Sequence, residues 1–154
     1  MIKPFTFSLE RMREYKNQVL EAEKNLLQAL NKRLLDIEEK ILHCKNFRQE
    51  KQDEMRQKQE QGSTMRELDE CKFYLENTRM QIEALEEERV AAMLEVERQR
   101  KVVIGASQEV SSLDKLEEKQ MDDYRYLEAR DSEKEIQEHV IHRLVYSHDG
   151  LQAD

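Results

Sequence analysis

Between Leu68 and Leu127 the apolar residues fall into two interleaved series, each advancing by seven. One series is Leu68, Leu75, Ile82, Val96, Val103, Val110 and Tyr124, and the other is Cys71, Leu85, Ala92, Ala106, Leu113 and Leu127. Steps of three and four hold one stripe against a partner helix over many turns, whereas the 3.6-residue period of a globular helix would rotate the stripe away. An earlier stripe has the same spacing: Leu9, Met12, Val19, Leu26, Leu30, Leu34, Ile37, Ile41 and Cys44. The pattern predicts an all-α protein of two long helices.

The break between the stripes is Gln61, Gly62, Ser63 and Thr64. Gly62 suits a helix end, and Thr64 followed by Glu67 reads as a capping box, so a stop and a start lie within four residues. Helices joined this briefly run antiparallel against each other. The expected layout is a single coiled-coil domain over 1–154, with helix 1 at about 8–58, a turn at about 59–64 and helix 2 at about 65–145. At 1.5 Å per residue the arms measure roughly 75 and 120 Å. Leu9 then faces the region of Leu113, and residues 115–145 overhang; 146–154 read as disordered. The seam agrees. From Leu68 to Leu113 only Thr78, Arg89 and Gln99 interrupt it, but at Glu117, Gln120, Tyr124, Leu127, Asp131, Lys134, Glu138, Ile141 and Val145 it is mostly polar. A lone helix without a seam is marginal in water, so the overhang calls for a partner protein.

Charge fits the pairing. Residues 1–61 carry 13 Lys and Arg against 11 Asp and Glu, whereas 62–154 carry 13 against 23. With 39% charged residues, three Gly, one Pro and no Trp, the chain cannot fill a wide core. Its sustained periodicity separates it from a disordered polyampholyte. No apolar run is long enough to span a bilayer and the start lacks a signal-peptide core, which predicts a cytoplasmic protein. Cys44 and Cys71 fall at seam-like positions, staggered by about two helical turns, and are expected to stay unpaired.

Chemical sites are not evident. His139 and His142 lie near Glu135 and Glu138, but no third fixed ligand follows, so no metal is expected. His43 and His148 are isolated, Gly105 has no glycine neighbour to build a phosphate loop, and Asp122 and Asp123 point in different directions on a helix. A pI near 5.2 without a basic stripe argues against nucleic acid. The expected protein is no enzyme, with no cofactor and no small-molecule ligand.

Particular residues carry a resemblance: Phe5, Phe7, Leu9 and Glu10, then Glu14, Tyr15 and Lys16; and Leu113, Lys115, Leu116, Glu117, Lys119, Tyr124 and Arg125, then Glu128, Ala129, Arg130, Glu133, Lys134, Glu135 and Glu138. In these, and in length and two-helix layout, the chain resembles the flagellar FliJ family, with injectisome stalk proteins as a more distant match. Asp131, Ser132 and Gln137 depart from the expected pattern. The resemblance implies a soluble stalk of the type III flagellar export machinery that binds a hexameric export ATPase and promotes its assembly and activity. It further implies contact with an export gate membrane protein and with export chaperones, peripheral location at the cytoplasmic face of the inner membrane, and a role in motility and chemotaxis through flagellum assembly. Candidates for the ATPase pore are Phe5, Phe7, Tyr15, Leu116, Tyr124, Arg125, Tyr126, Leu127 and Arg130; candidates for the hairpin tip are Phe47, Phe73 and Tyr74. A self-associating structural scaffold is the alternative that the residues leave open.

Overall fold

The computed structural model describes residues 3–152, with side chains for 3–148. Helix α1 runs Glu10–Gln61 and helix α2 runs Met65–Gln152; among the described residues there is no strand. The helices pack against each other, and α2 is the longer. The turn is shorter than the sequence pattern suggests, only Gly62, Ser63 and Thr64. Gly62 takes a φ of 82°, a left-handed conformation open to glycine at little cost. Thr64 caps α2, its Oγ1 accepting from the Glu67 N–H at 3.3 Å. At the far end α2 continues past Val145 to Gln152, so 146–152 are helical rather than disordered; the remaining residues expected to be disordered lie outside the described chain.

The chain divides into two compact units, one of residues 19–106 and one of 1–18 with 107–154. In the first, the α2 seam is the predicted one: Leu68, Cys71, Leu75, Thr78, Ile82, Leu85, Arg89, Ala92, Val96, Gln99, Val103 and Ala106 are all buried or half-buried. Its core is Ile37, Ile41 and Ala92, with Leu34 and Leu85 packed on them. The polar members are paired. Thr78 returns its hydroxyl to the Tyr74 and Leu75 carbonyls, Arg89 pairs with Glu86, and the Gln99 amide donates to the Glu23 carbonyl at 3.0 Å and to its carboxylate. Cys44 and Cys71 are free.

The stripe predicted on α1 needs correcting. Met12 and Leu26 are exposed, and the inward row is Leu20, Leu27, Leu34 and Ile41 alternating with Glu23, Leu30, Ile37 and Cys44. Toward the turn it continues as Arg48, Lys51, Met55 and Lys58, all half-buried, three of them bases with long aliphatic stems. Ion pairs bridging the helices here include Arg33 to Glu95 and Lys45 to Glu86, each a base on α1 against an acid on α2.

In the second unit, α1 opens with Arg13 and Lys16 facing α2, where Val110, Leu113, Glu117, Gln120 and Tyr124 continue the seam. Intramolecular pairing therefore extends beyond Lys115, where the sequence predicts that it stops. Arg13 binds Asp114 and Glu117, and Phe5 stacks on Tyr124. The reason is backbone geometry. Residues before Glu10 are not helical, and extended chain covers about 3.3 Å per residue against 1.5 Å for the helix alongside, so a few residues reach further along α2 than helical counting allows. From Arg125 to His148 the α2 side chains are exposed, apart from a half-buried Asp131. Leu127, counted in the predicted seam, is 53% exposed because no α1 residue reaches it.

Candidate partner-binding surfaces

The first surface lies in the unit that joins the N-terminal segment to the end of α2. Its base is an aromatic clasp: the Phe5 and Tyr124 rings sit 5.6 Å apart, tilted by 56°. Phe7 is buried, with the Arg13 guanidinium 5.1 Å from its ring centroid. Arg13 also bonds Glu10, Asp114 and Glu117, which makes it the hub that ties the extended segment, α1 and α2 together. One turn on, Lys16 pairs with Glu109 at 2.8 Å; the hydrogen bond and charge of Glu109 hold the Lys16 ammonium above its ordinary range.

The pore candidates thus divide. Phe5, Phe7 and Tyr124 bind one another's elements, and Leu116 is half-buried beside them; these shape the base of the free helix. Arg125, Tyr126, Leu127 and Arg130 are exposed on α2, and Tyr15 is exposed on α1. Leu127 and Arg130 line a shallow cleft with Asp131 and Lys134. Sequence reasoning missed Arg13, which shows itself only as a base at an inward heptad position opposite acids. It also missed Ile136, Val140 and Leu144, exposed apolar residues on the segment expected to be mostly polar.

The second surface is near the turn, in the other unit. Phe47 pairs edge-to-face with Tyr74, at 6.2 Å and 84°. Phe73 meets Tyr74 at 5.9 Å and stays 66% exposed, so it is the ring left outside the seam. Lys51 Nζ lies 4.9 Å from the Tyr74 centroid and 5.6 Å from that of Phe47, a cation shared by two ring faces. Lys51 and Lys58 bond Glu54, whose carboxyl is held below the usual range by these hydrogen bonds and charges. A shallow cleft of Arg66, Asp69, Glu70, Phe73 and Tyr74 opens beside the rings.

Neither surface assembles a nucleophile with a base. Among the described residues no group of three or more His, Cys, Asp or Glu is placed to hold a metal ion, and no helix is long and apolar enough to cross a membrane. Both surfaces offer aromatic rings, aliphatic side chains and arginines, the residue types that anchor protein interfaces.

No curated protein and no solved structure matches the chain. The family model described as "Flagellar FliJ protein" matches residues 5–146, from the first ring of the clasp to Tyr146. A match over nearly the whole of a two-helix protein settles its kinship: the chain belongs to the flagellar FliJ family, a component of flagellar protein export.

Proposed function

We propose that this protein is a non-enzymatic stalk and adaptor of the flagellar type III export apparatus. The end of α2 beyond Tyr124 enters the pore of the hexameric export ATPase, promoting its assembly and hydrolysis, while the ring cluster of Phe47, Phe73 and Tyr74 docks on the export gate membrane protein. Export chaperones are further partners. Through the gate the protein sits peripherally at the cytoplasmic face of the inner membrane and supports flagellum assembly, motility and chemotaxis.

One observation carries this reading. Past the Phe5–Tyr124 clasp α2 keeps its helix to Gln152, beyond the reach of α1, while Arg125, Tyr126, Leu127 and Arg130 are exposed. A helix left without its seam is marginal in water and is stabilised by docking. Inside a ring of six identical subunits one asymmetric helix touches different subunits differently, and such differential contacts bias their conformations. The clasp serves as a collar that fixes where the free helix begins.

The test is ATP hydrolysis by the cognate export ATPase, titrated with the full chain and with a chain truncated after Tyr124. The cut spares the clasp, so the hairpin remains. Stimulation by the full chain that the truncation loses is the expected result; equal stimulation by both, or none by either, refutes the pore assignment.

A further inference from the structure

Ahead of α1 the chain forms a strap whose burial alternates residue by residue. Phe5 and Leu9 are half-buried and Phe7 is buried, while Pro4, Thr6 and Ser8 are exposed. Successive side chains of extended backbone point to opposite sides, so the strap turns its apolar members one way and its polar ones to water. On α2, Glu117, Gln120, Met121 and Tyr124 are half-buried and, at steps of three and four, share one helical face. Arg13 bonds Glu117 at the start of that face, and the Phe5 ring lies on Tyr124 at its end. The strap is what covers it.

Side chains alone hold the strap to α2. Among the described residues the only main-chain hydrogen bond from 3–8 is that of the Phe7 carbonyl, which accepts from the Glu10 N–H of α1 at 3.2 Å. The attachments are the Phe5 ring against Tyr124 and the Phe7 ring beside the Arg13 guanidinium. Arg13 belongs to α1 and pairs with Asp114 and Glu117, so the two helices stay tied when the strap lifts. Lifting it therefore wets two rings and the face beneath them, and breaks no main-chain bond to α2. That face continues without a break into exposed Leu127, at the start of the free helix.

We propose that the strap is a displaceable cover. It closes residues 117–124 of α2 in the free protein, and the export ATPase takes its place on that face while closing around the free helix; the proposal rests on the pore assignment above. A partner that needs the open form binds with an affinity reduced by the fraction of molecules that are open. Two buried rings hold that fraction to roughly one in ten or fewer, so loss of the strap's grip should tighten binding by ~10-fold or more. A strap whose rings anchored the ATPase directly would do the reverse.

The test titrates the cognate export ATPase with the full chain and with Phe5→Ser/Phe7→Ser, circular dichroism checking that the hairpin persists. The cover predicts half-maximal stimulation of ATP hydrolysis at a concentration ~10-fold lower, or less, for the variant. Stimulation by the full chain with an unchanged or higher midpoint for the variant overturns the cover and leaves the pore assignment standing; stimulation by neither overturns both. Strap movement is read separately with nitroxide labels on Thr6→Cys and Asp123→Cys, both exposed positions, in a chain carrying Cys44→Ala and Cys71→Ala. Dipolar broadening in the free chain that disappears with excess ATPase is the expected result. Broadening that persists in the complex, or is missing from the free chain, overturns the proposal.

Discussion

Gln99 and Glu23 place a polar pair in an otherwise apolar seam, and a double-mutant cycle measures what it does. Gln99 is 8% exposed and donates to the Glu23 carbonyl and carboxylate, while Glu23 is half-buried. Gln99→Leu removes the donor and leaves the carboxylate beside an apolar side chain. The lost hydrogen bond to a charged group costs about 1.5–3 kcal/mol, offset in part by burying the leucine, for a net loss of about 1 kcal/mol. Glu23→Leu costs less, because the Gln99 amide keeps the main-chain carbonyl as acceptor. With both changed, two leucines meet in the seam and no polar group is stranded, and such replacements are nearly neutral or stabilising. The expected coupling is therefore about 2 kcal/mol, with the double variant more stable than the parent. Urea unfolding followed by circular dichroism gives all four corners. Single effects that add to the double within about 0.5 kcal/mol would show that the two side chains act independently, and would refute the reading of this pair as one unit.

Gly62 and Gly105 should respond in opposite directions to substitution. Gly105 is helical with open space at its Cβ position, so Gly105→Ala should raise the unfolding free energy by about 1 kcal/mol, whereas Gly62→Ala forces a left-handed residue with a Cβ and should lower it by about 1 kcal/mol. Acidification should expose the Lys51–Glu54–Lys58 cluster. Glu54 ionises below its ordinary value of 4.5 because Lys51 and Lys58 hold it; a lowered folded pKa gives stability that is present above that value and lost as pH falls through the folded one. Melting curves of the native chain and Glu54→Gln should therefore differ at neutral pH and converge in strong acid.

How far the fold can be read from the residues is shown best by comparing the helices. On α2 Leu68, Cys71, Ile82, Val96, Val110 and Leu113 have polar neighbours on both sides, which fixes the phase of the repeat, and it holds from Leu68 to Tyr124 through Thr78, Arg89 and Gln99. On α1 the apolar residues come as neighbours, Val19 with Leu20 and Leu26 with Leu27, which lets the phase slip by one. Arg13, Lys16 and Glu23 sit at true inward positions but are polar, and only their partners Glu117, Glu109 and Gln99 explain them. The extent of pairing was hidden for another reason: counting residues assumes a helix, and residues 5–9 are not one. Of the candidate surfaces, the identities of the rings were legible but their burial was not. Phe7, a candidate for partner binding, is buried beneath Arg13, and Ile141 and Val145, in phase with the seam, are exposed because no part of α1 reaches them.

The three-residue turn also sets an order of events. Helix pairs next to Gly62 bring together residues close in sequence, and closing so short a loop costs little entropy. Phe5 and Tyr124 are at the other extreme, meeting only after the loop between them has been shortened by every contact formed before. Folding should run as a zipper from the turn, with the clasp the last contact made on refolding and the first lost on unfolding. Within the paired part of the hairpin amide exchange would then be fastest at the clasp and slowest around Ile37 and Ala92, a graded kinetic stability in which the clasp opens without the core giving way.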